Sequence, residues 1–160
     1  MEAGDYTIEV KTLPPQPVVG IRTVTPVTRI GATLAEVLNE VMEYLEAQGV
    51  EPAGPPYNRY HGTSDEGIAM EAGFPVARAL PGTERVLAGE LPGGEVAVTW
   101  HMGPYAKLRD AYRALGLWLK ANGREMAGSP WELYWTDPGE IGHPGLWKTE
   151  IYWPIGPPGG

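Results

Sequence analysis

The sequence predicts an α+β fold with antiparallel sheets and two main helices, built from two duplicated βαββ halves related by a pseudo-twofold. Three observations lead to this prediction. Short runs with alternating apolar and polar residues predict strands. Two segments with apolar residues at spacings of three and four predict helices, and the order of elements in the first part of the chain returns in the second. Because neither half alone can close a core, we expect one domain over residues 1–160 with a central ligand cleft where the halves meet.

The first half opens with two predicted strands, over residues 5–13 and 17–25. The following segment TLAE, from Thr33 to Glu36, has the form of a capping box, so we expect the first helix to begin at Thr33. Gly49 suits a left-handed cap at the end of that helix. The expected buried face of the helix consists of Leu34, Val37, Leu38, Val41 and Leu45.

The second half repeats the first at a nearly constant offset. Residues 47–61 (AQGVEPAGPPYNRYH) align without a gap on residues 121–135 (ANGREMAGSPWELYW), at an offset of 127 − 53 = 74. Strands are predicted over residues 96–101 and 150–155, and residues 71–76 resemble the latter at an offset of 150 − 71 = 79. The repeat spans about residues 5–76 and 85–155, with a further short strand at 85–91. The expected buried face of the second helix consists of Leu108, Ala111, Tyr112, Leu115 and Leu119.

Composition and charge exclude several classes of function. The formal net charge of -8 disfavours direct binding to nucleic acid, and the absence of cysteine fits the cytoplasm. No apolar run approaches the roughly 20 residues of a membrane span. His61, His101 and His143 are dispersed, so we expect no metal and no cofactor. The two serines, Ser64 and Ser129, lie in turn-like contexts, which disfavours a serine triad.

The strongest candidate for a binding residue lies in the last strand, KTEIYWPI at residues 148–155. Glu150 and Tyr152 are two residues apart and therefore share one face of a strand. A carboxylate in so apolar a segment is unfavourable unless a charged or hydrogen-bonding group meets it. We therefore expect Glu150 to face a ligand. The other face, with Ile151, Trp153 and Ile155, is expected to join the core.

Other acids and aromatic residues are expected to extend this site. Glu132 and Tyr134 alternate with tryptophans, and we expect them to form one patch with Glu150 and Tyr152. The first half would contribute Asn58, Tyr60 and Glu71. Rings around a desolvated carboxylate suit a lipophilic cation, whereas phenol hydroxyls also orient a neutral carbonyl ligand. Taken singly, Glu132 and Glu71 are better explained as ordinary strand residues on a solvated face than as ligand-binding residues.

The chain resembles the GyrI-like small-molecule-binding domains, also called AraC-type effector-binding domains. The resemblance rests on residues 98–119 (VTWHMGPYAKLRDAYRALGLWL), 130–138 (PWELYWTDP) and 149–155 (TEIYWPI). Trp100 and Tyr105, in the first segment, join the candidate ligand-binding residues. Met102 interrupts the family's His-Gly-Pro-Tyr turn, which leaves the role of His101 open.

The resemblance implies two SHS2-like units around a central pocket, a fold shared with SOUL-type haem proteins. In multidrug-responsive members, a buried glutamate among aromatic rings receives hydrophobic, often cationic, compounds. By motif match that glutamate is Glu150 or Glu132. Such domains are often fused to the DNA-binding segment of a transcription regulator, but the repeat begins close to Met1, so a stand-alone binding protein is expected.

Two alternatives remain open. Relatives that hydrolyse cyclopropane-bearing toxins imply a catalytic pair in which Glu150 acts as the base and Tyr152 polarises a carbonyl. A gyrase-inhibitor-like module would instead bind a protein partner. A haem site with a histidine ligand is disfavoured, because a lone histidine on a strand is usually structural.

Overall fold

The computed structural model describes residues 6–136 and 142–156, which form eight strands and two α-helices. The pairings among these strands are antiparallel, which confirms the α+β class. The elements in chain order are β1 (Glu9–Leu13), β2 (Gln16–Thr25), α1 (Ile30–Gln48), β3 (Tyr57–Ser64), β4 (Gly67–Pro75), β5 (Leu87–Leu91), β6 (Gly94–Met102), α2 (Leu108–Ala121), β7 (Trp131–Tyr134) and β8 (Lys148–Pro154).

The chain divides into two compact units. The terminal unit consists of Met1–Leu13 with Gly94–Gly160, and the internal unit is Pro14–Gly93. In the terminal unit the strands lie in the order β1-β6-β8-β7, and in the internal unit in the order β3-β4-β2-β5. Each unit contains the predicted strand, helix, strand, strand, and the short strand expected at 85–91 is β5. The pseudo-twofold and the single-domain organisation stay predictions.

The first strand belongs to the terminal unit. β1 pairs with β6, with Glu9 opposite Val98 and Leu13 opposite Gly94. The predicted strand was longer, at residues 5–13, and residue 5 lies outside the described part of the chain. The first sequence repeat, 5–76, and the internal unit therefore have different limits.

Helix α1 begins earlier than the capping box predicts. It starts at Ile30, directly after a 3-10 turn at Val27–Arg29, and its N-terminal residue has no side-chain cap. The hydroxyl of Thr33 lies 2.8 Å from the hydroxyl of Thr25, so it is engaged with the end of β2. The prediction that a capping box starts α1 at Thr33 is therefore wrong. The predicted C-terminus is confirmed, since Gly49 has φ 67°.

Helix α1 covers one face of the internal sheet. Val37, Val41 and Leu45 on the helix are buried, as the spacing predicts, and pack over Ile21 and other sheet residues. The alternate sheet residues face away from α1. The buried core of the unit consists of Val19, Ile21, Val37, Val41, Leu45, Met70, Ala72, Phe74, Val76, Leu80 and Val86.

Helix α2 covers one face of the terminal sheet in the same way. Its buried positions pack against Ala97 of β6 and Ile151 of β8, and Trp153 is partly buried beside them. The predicted core face of the last strand is thus confirmed. Glu150 and Tyr152 lie on the opposite face, away from α2. The buried cluster consists of Ala97, Leu108, Ala111, Leu115, Leu119, Ile151 and Ile155. Within the described residues, no helix is both long and apolar enough to cross a membrane.

Candidate functional site

Strand register places an acid and several aromatic rings on the face of the terminal sheet that is turned away from α2. Glu150 lies opposite Trp100 of β6 and Leu133 of β7, and Tyr152 lies opposite Trp131. Residues directly opposite each other in antiparallel strands share a face. Glu150, Tyr152 and Trp100 are therefore brought together on one face. We call this surface the Glu150 face; it consists of Lys11, Trp100, Trp131, Leu133, Trp135, Lys148, Glu150 and Tyr152.

The carboxylate of Glu150 is buried and has polar partners. The residue is 2% exposed. The indole Nε1 of Trp135 donates to Oε1 at 3.1 Å, and the ammonium of Lys11 lies 3.8 Å from Oε2. Trp135 itself is 49% exposed. A half-exposed indole and a lysine thus separate a buried acid from solvent.

Tyr152 combines a flat apolar surface with a hydroxyl. Its ring stacks on Trp131 with centroids 5.5 Å apart and an angle of 6° between the planes. Burial raises the pKa of Tyr152, and a hydrogen bond with Glu150 and the charge of that residue raise it further. The phenol is therefore protonated at neutral pH and acts as a donor.

The indoles of this face already contact a cation. The ammonium of Lys148 lies 4.5 Å from the centroid of the Trp100 ring, within the range of a cation-π interaction. The rings of Trp100 and Trp135 are 5.9 Å apart and inclined at 46°. The face therefore combines aromatic rings and one buried carboxylate with the ammonium groups of Lys11 and Lys148.

Glu132 and Tyr134 lie on the other face, so the prediction of a single patch with Glu150 and Tyr152 is wrong. Glu132 is opposite Ile151, a core residue beneath α2. Alternation shows which residues of one strand share a face, but only register shows which faces of two strands coincide.

Glu132 is a buried acid held by two phenols. The hydroxyls of Tyr112 and Tyr134 each donate to its carboxylate at 2.6 Å. Burial raises the pKa of Glu132, and these two hydrogen bonds lower it by less. The arrangement is a closed network under a helix.

Tyr105 also lies with this network. Its ring is 5.5 Å from the ring of Tyr134 and 4.8 Å from that of Trp147. The structure therefore separates Tyr105 and Tyr134 from the candidate residues on the Glu150 face.

The structure answers the question of His101. This residue is buried, its Nδ1 lies 2.9 Å from the hydroxyl of Tyr6, and its Nε2 lies 3.2 Å from the carbonyl oxygen of Pro104. Both ring nitrogens are thus engaged with neighbouring backbone segments. Its role is to hold the N-terminal segment and the Gly103 turn against β6.

In the internal unit the three counterparts lie on two faces. Tyr60 is opposite Met70 and packs against the core under α1, and Asn58 is opposite Ala72 on the same side. Glu71 points the other way. The expectation that Tyr60 and Glu71 contribute to one surface is therefore wrong.

Glu71 is surrounded by four polar side chains. The hydroxyl of Tyr57 donates to Oε2 at 2.6 Å, Nε2 of His61 lies 3.0 Å from Oε1, and Nε of Arg22 donates to Oε1 at 3.4 Å. Arg59 lies directly opposite on β3. Burial opposes ionisation, but the hydrogen bonds from Tyr57 and His61, with the charge of Arg22, hold the pKa of Glu71 below its ordinary value.

Sequence reasoning missed five residues of the Glu150 face. Trp131, Leu133 and Trp135 were visible as one side of a predicted strand, but were matched to the wrong side of β8. Lys148 lies two residues before Glu150, so alternation could have placed it on the same face, whereas Lys11 lies in no motif and had no signal in the sequence. Among the described residues, no group of His, Asp and Glu side chains is arranged to hold a metal ion.

Antiparallel strands with a helix packed on one of their faces place this chain in the α+β class. The chain belongs to one family of that class: the model of the GyrI-like small molecule binding domain matches residues 6–156. A sequence comparison with curated proteins gives no match.

Solved structures with the same fold include proteins described in several ways. The C-terminal domain of EcmrR is 22% identical with a TM-score of 0.84, and the match covers 94% of this chain and 98% of that domain. In the EcmrR chain of a complex with DNA, the match covers 57% of the length. A hydrolase encoded by lin2189 from Listeria innocua is 11% identical, with a TM-score of 0.67 and coverages of 94% and 92%. SAV2435 bound to tetraphenylphosphonium is 10% identical, with a TM-score of 0.62 and coverages of 94% and 94%.

Proposed function

We propose that this domain binds or sequesters hydrophobic, aromatic or cationic small molecules, with Glu150 as the charge that meets the ligand. The observation that carries the proposal is the buried carboxylate of Glu150 among the rings of Trp100, Trp135 and Tyr152. The family and the lipophilic cation bound by SAV2435 support the same class of ligand.

Electrostatics favour a ligand with a delocalised positive charge. A carboxylate taken out of water attracts a cation more strongly than one in bulk solvent, because the effective dielectric constant is lower. Each ring face adds roughly 0.5 to 2 kcal/mol. Lys148 over Trp100 illustrates this preference inside the protein. A lipophilic cation brings the charge with a smaller desolvation penalty than an ammonium group.

The stack of Trp131 on Tyr152 supports planar neutral ligands as well. The two rings are nearly parallel, with centroids 5.5 Å apart, which shows aromatic stacking on this face, and a planar ligand would stack on the half-exposed Trp135 beside them. The phenol of Tyr152, kept protonated, donates to a carbonyl oxygen of such a ligand.

Titration with tetraphenylphosphonium, followed by tryptophan fluorescence, tests the proposal. We expect saturable quenching in the wild type and an affinity at least about tenfold weaker in Glu150→Gln, which corresponds to about 1.4 kcal/mol. Glu132→Gln is the matched control: it removes a buried acid of the same unit from the other sheet face, so its affinity should stay within about twofold of the wild type. Absence of quenching, or equal affinity in wild type and Glu150→Gln, overturns the proposal. Circular dichroism checks that each variant is folded.

The hydrogen bond between Tyr152 and Glu150 favours one second candidate, hydrolysis of a cyclopropane-bearing alkylating compound. Glu150 would take a proton from water while the water oxygen bonds to a ring carbon. The strained C–C bond would break, and its electron pair would move to the conjugated carbonyl, to which Tyr152 donates a hydrogen bond.

Absorbance of a spiro-cyclopropyl dienone distinguishes the hydrolase from the binder. A hydrolase turns the compound over, loses turnover in Glu150→Gln and Tyr152→Phe, and still binds the product. If the domain only binds the compound, the tryptophan fluorescence of the protein is quenched. The absorbance of the compound then changes no faster than it does without protein.

A further inference from the structure

The internal unit carries a second cluster of charges, on the sheet face turned away from α1. Arg22 of β2, Glu71 of β4 and Arg59 of β3 lie directly opposite one another and form one rung across three strands. Two guanidinium groups thus flank one carboxylate, in a chain whose formal net charge is -8. This rung lies in the other unit and is argued independently of the Glu150 face.

Glu71 is fixed as the centre of the rung. Its two oxygens are occupied by the hydroxyl of Tyr57 and by the ring of His61. Tyr57 lies opposite Gly73 and reaches Glu71 because Gly20 has no side chain: a Cβ on Gly20 would collide with the Tyr57 hydroxyl. Glu71 also lies between two arginines, which makes it poorly suited to receive a ligand cation. Glu71 is better suited to orient the arginines.

His61 reaches Glu71 through a β-bulge. The register shifts between Tyr60 and Gly62, so His61 is the additional residue of β3. Its Nε2 lies 3.0 Å from Oε1 of Glu71 and 3.3 Å from Nη2 of Arg22. One nitrogen cannot donate to the carboxylate and accept from the guanidinium at the same time. Because the carboxylate is the stronger partner, Nε2 carries the proton, and Nη2 of Arg22 then faces another N–H.

The guanidinium of Arg22 is therefore held in place without an acceptor for every one of its N–H groups. Its Nε donates to Glu71 at 3.4 Å, which is long for a charge-assisted bond, and its side chain is 61% exposed. Nη2 faces the N–H of His61 rather than an acceptor. An acceptor from solution that carries negative charge would meet this edge of the guanidinium.

Arg59, on the far side of Glu71, adds to the positive potential. It is half-buried, and burial lowers its pKa, whereas the charge of Glu71 raises it and the charge of Arg22 lowers it by a smaller amount. The two guanidinium groups therefore repel one another across the rung, and Glu71 offsets part of that repulsion. An anion bound beside them relieves that repulsion.

We propose that the rung of Arg22, Glu71 and Arg59 is a binding site for a carboxylate or phosphate-type oxyanion. The guanidinium of Arg22 is the primary contact, Arg59 supplies the second positive charge, and Glu71 is a positioning residue. A planar guanidinium offers two parallel N–H donors to such an anion, which a lysine cannot.

Nitrogen-detected NMR of the arginine Nε–Hε groups tests this in the full chain. Sodium phosphate and sodium benzoate are titrated separately, with sodium chloride holding ionic strength constant. We expect a saturable shift of the Arg22 signal with at least one of them. Saturation by benzoate alone identifies an aromatic carboxylate as the ligand type, and saturation by phosphate identifies a phosphate-like group. No saturable shift with either anion overturns the proposal.

Variants separate a site from general charge attraction. Arg22→Gln and Arg59→Gln should each weaken binding at least about fivefold. Because Arg22→Gln lacks the Arg22 signal, binding to that variant is followed through neighbouring amide signals. The exposed Arg78 is the charge-matched control, and Arg78→Gln should bind like the wild type. Arg22→Lys keeps the charge and should still weaken binding. An equal loss in Arg78→Gln overturns the proposal.

Glu71→Gln gives the sharpest result. Removing a negative charge beside an anion should strengthen binding if only charge matters. If Glu71 orients Arg22, binding weakens instead. Stronger binding in Glu71→Gln would rule out the positioning role.

Discussion

The carboxylates of Glu71 on β4 and Glu150 on β8 each meet a ring nitrogen, from His61 on β3 in the first case and from Trp135, directly after β7, in the second. Nε2 of His61 lies 3.0 Å from Glu71, and Nε1 of Trp135 lies 3.1 Å from Glu150. Their cross-strand neighbours differ, however. Glu71 lies between two arginines, whereas Glu150 lies between Trp100 and Leu133. One position is thus a charged network and the other an acid in an apolar surface.

The first prediction concerns the stability that Glu71 supplies. Glu71→Gln should lower the free energy of unfolding by about 1–3 kcal/mol, because buried Tyr57 loses a charged acceptor. Urea denaturation at neutral pH measures the loss. Glu95→Gln, which removes the exposed partner of Arg124 and leaves the hydrogen bond from Arg124 to the carbonyl of Gly156, is the control and should change stability by less than about 1 kcal/mol. Equal small losses in both variants would show that the network around Glu71 contributes little.

The lowered pKa of Glu71 gives this stability a pH dependence. A carboxyl whose folded pKa lies below its unfolded value stabilises the protein above the unfolded value. The contribution is lost as the pH falls through the folded pKa. The difference between wild type and Glu71→Gln should therefore shrink on acidification.

The second prediction concerns Lys11 and depends on the proposed binding function. Its ammonium lies 3.8 Å from Glu150 and its side chain is 40% exposed, so a ligand cation competes with it. Lys11→Gln should tighten the binding of tetraphenylphosphonium about three- to tenfold, after solvent screening is allowed for. Fluorescence titration measures the change.

The exposed Lys120, in the last turn of α2, is the matched control for that measurement. Lys120→Gln changes the net charge equally and should leave the affinity within about twofold. If both variants tighten binding to the same extent, the effect is one of net charge and Lys11 does not compete for Glu150.

The third prediction concerns Glu132 and pH. Burial raises its pKa above the ordinary value of about 4.5. A carboxyl with a raised folded pKa contributes stability that is full below the unfolded value and is lost as the pH rises through the folded value. The free energy of unfolding should therefore decrease more in the wild type than in Glu132→Gln as the pH rises from 4. It is measured at intervals of about half a pH unit. Parallel curves for the two proteins would contradict the raised pKa.

Much of the fold could be predicted because it depends on local pattern. The spacing of Val37, Val41 and Leu45 fixes the buried side of α1, and Gly49 ends it. The start of α1 could not be predicted in the same way, since the hydroxyl of Thr33 has a partner, Thr25, that is close only in the folded chain.

The site was predicted in part, for a related reason. Period-two alternation places Glu150 with Tyr152 in any extended strand. It carries no information about the register that puts Trp131 and Trp135 beside them and Glu132 behind. The ion pair of Lys11 with Glu150 joins residues far apart in the sequence, and only strand order brings β1 near that acid. Long-range pairing was therefore the part that composition and spacing left open.

The last prediction tests the close packing beneath Tyr57. A Cβ on Gly73 would overlap the carbonyl oxygen of Val19 and lie 2.6 Å from the Cα of Gly20, both backbone atoms that cannot turn aside. Gly73→Ala should therefore lower the free energy of unfolding by at least about 2 kcal/mol, since overpacking of a rigid sheet forces the strands apart.

Gly89→Ala is the control for Gly73→Ala, because it makes the same change in a strand of the same unit. A Cβ there meets only a methyl of Val18 at 3.8 Å, an ordinary contact. Its thermal midpoint should be unchanged or slightly higher, since alanine loses less conformational entropy on folding than glycine. Thermal denaturation by circular dichroism compares the two variants. Equal midpoints would mean that β2 and β4 separate easily, and that Tyr57 is not held over Gly20 and Gly73 as described.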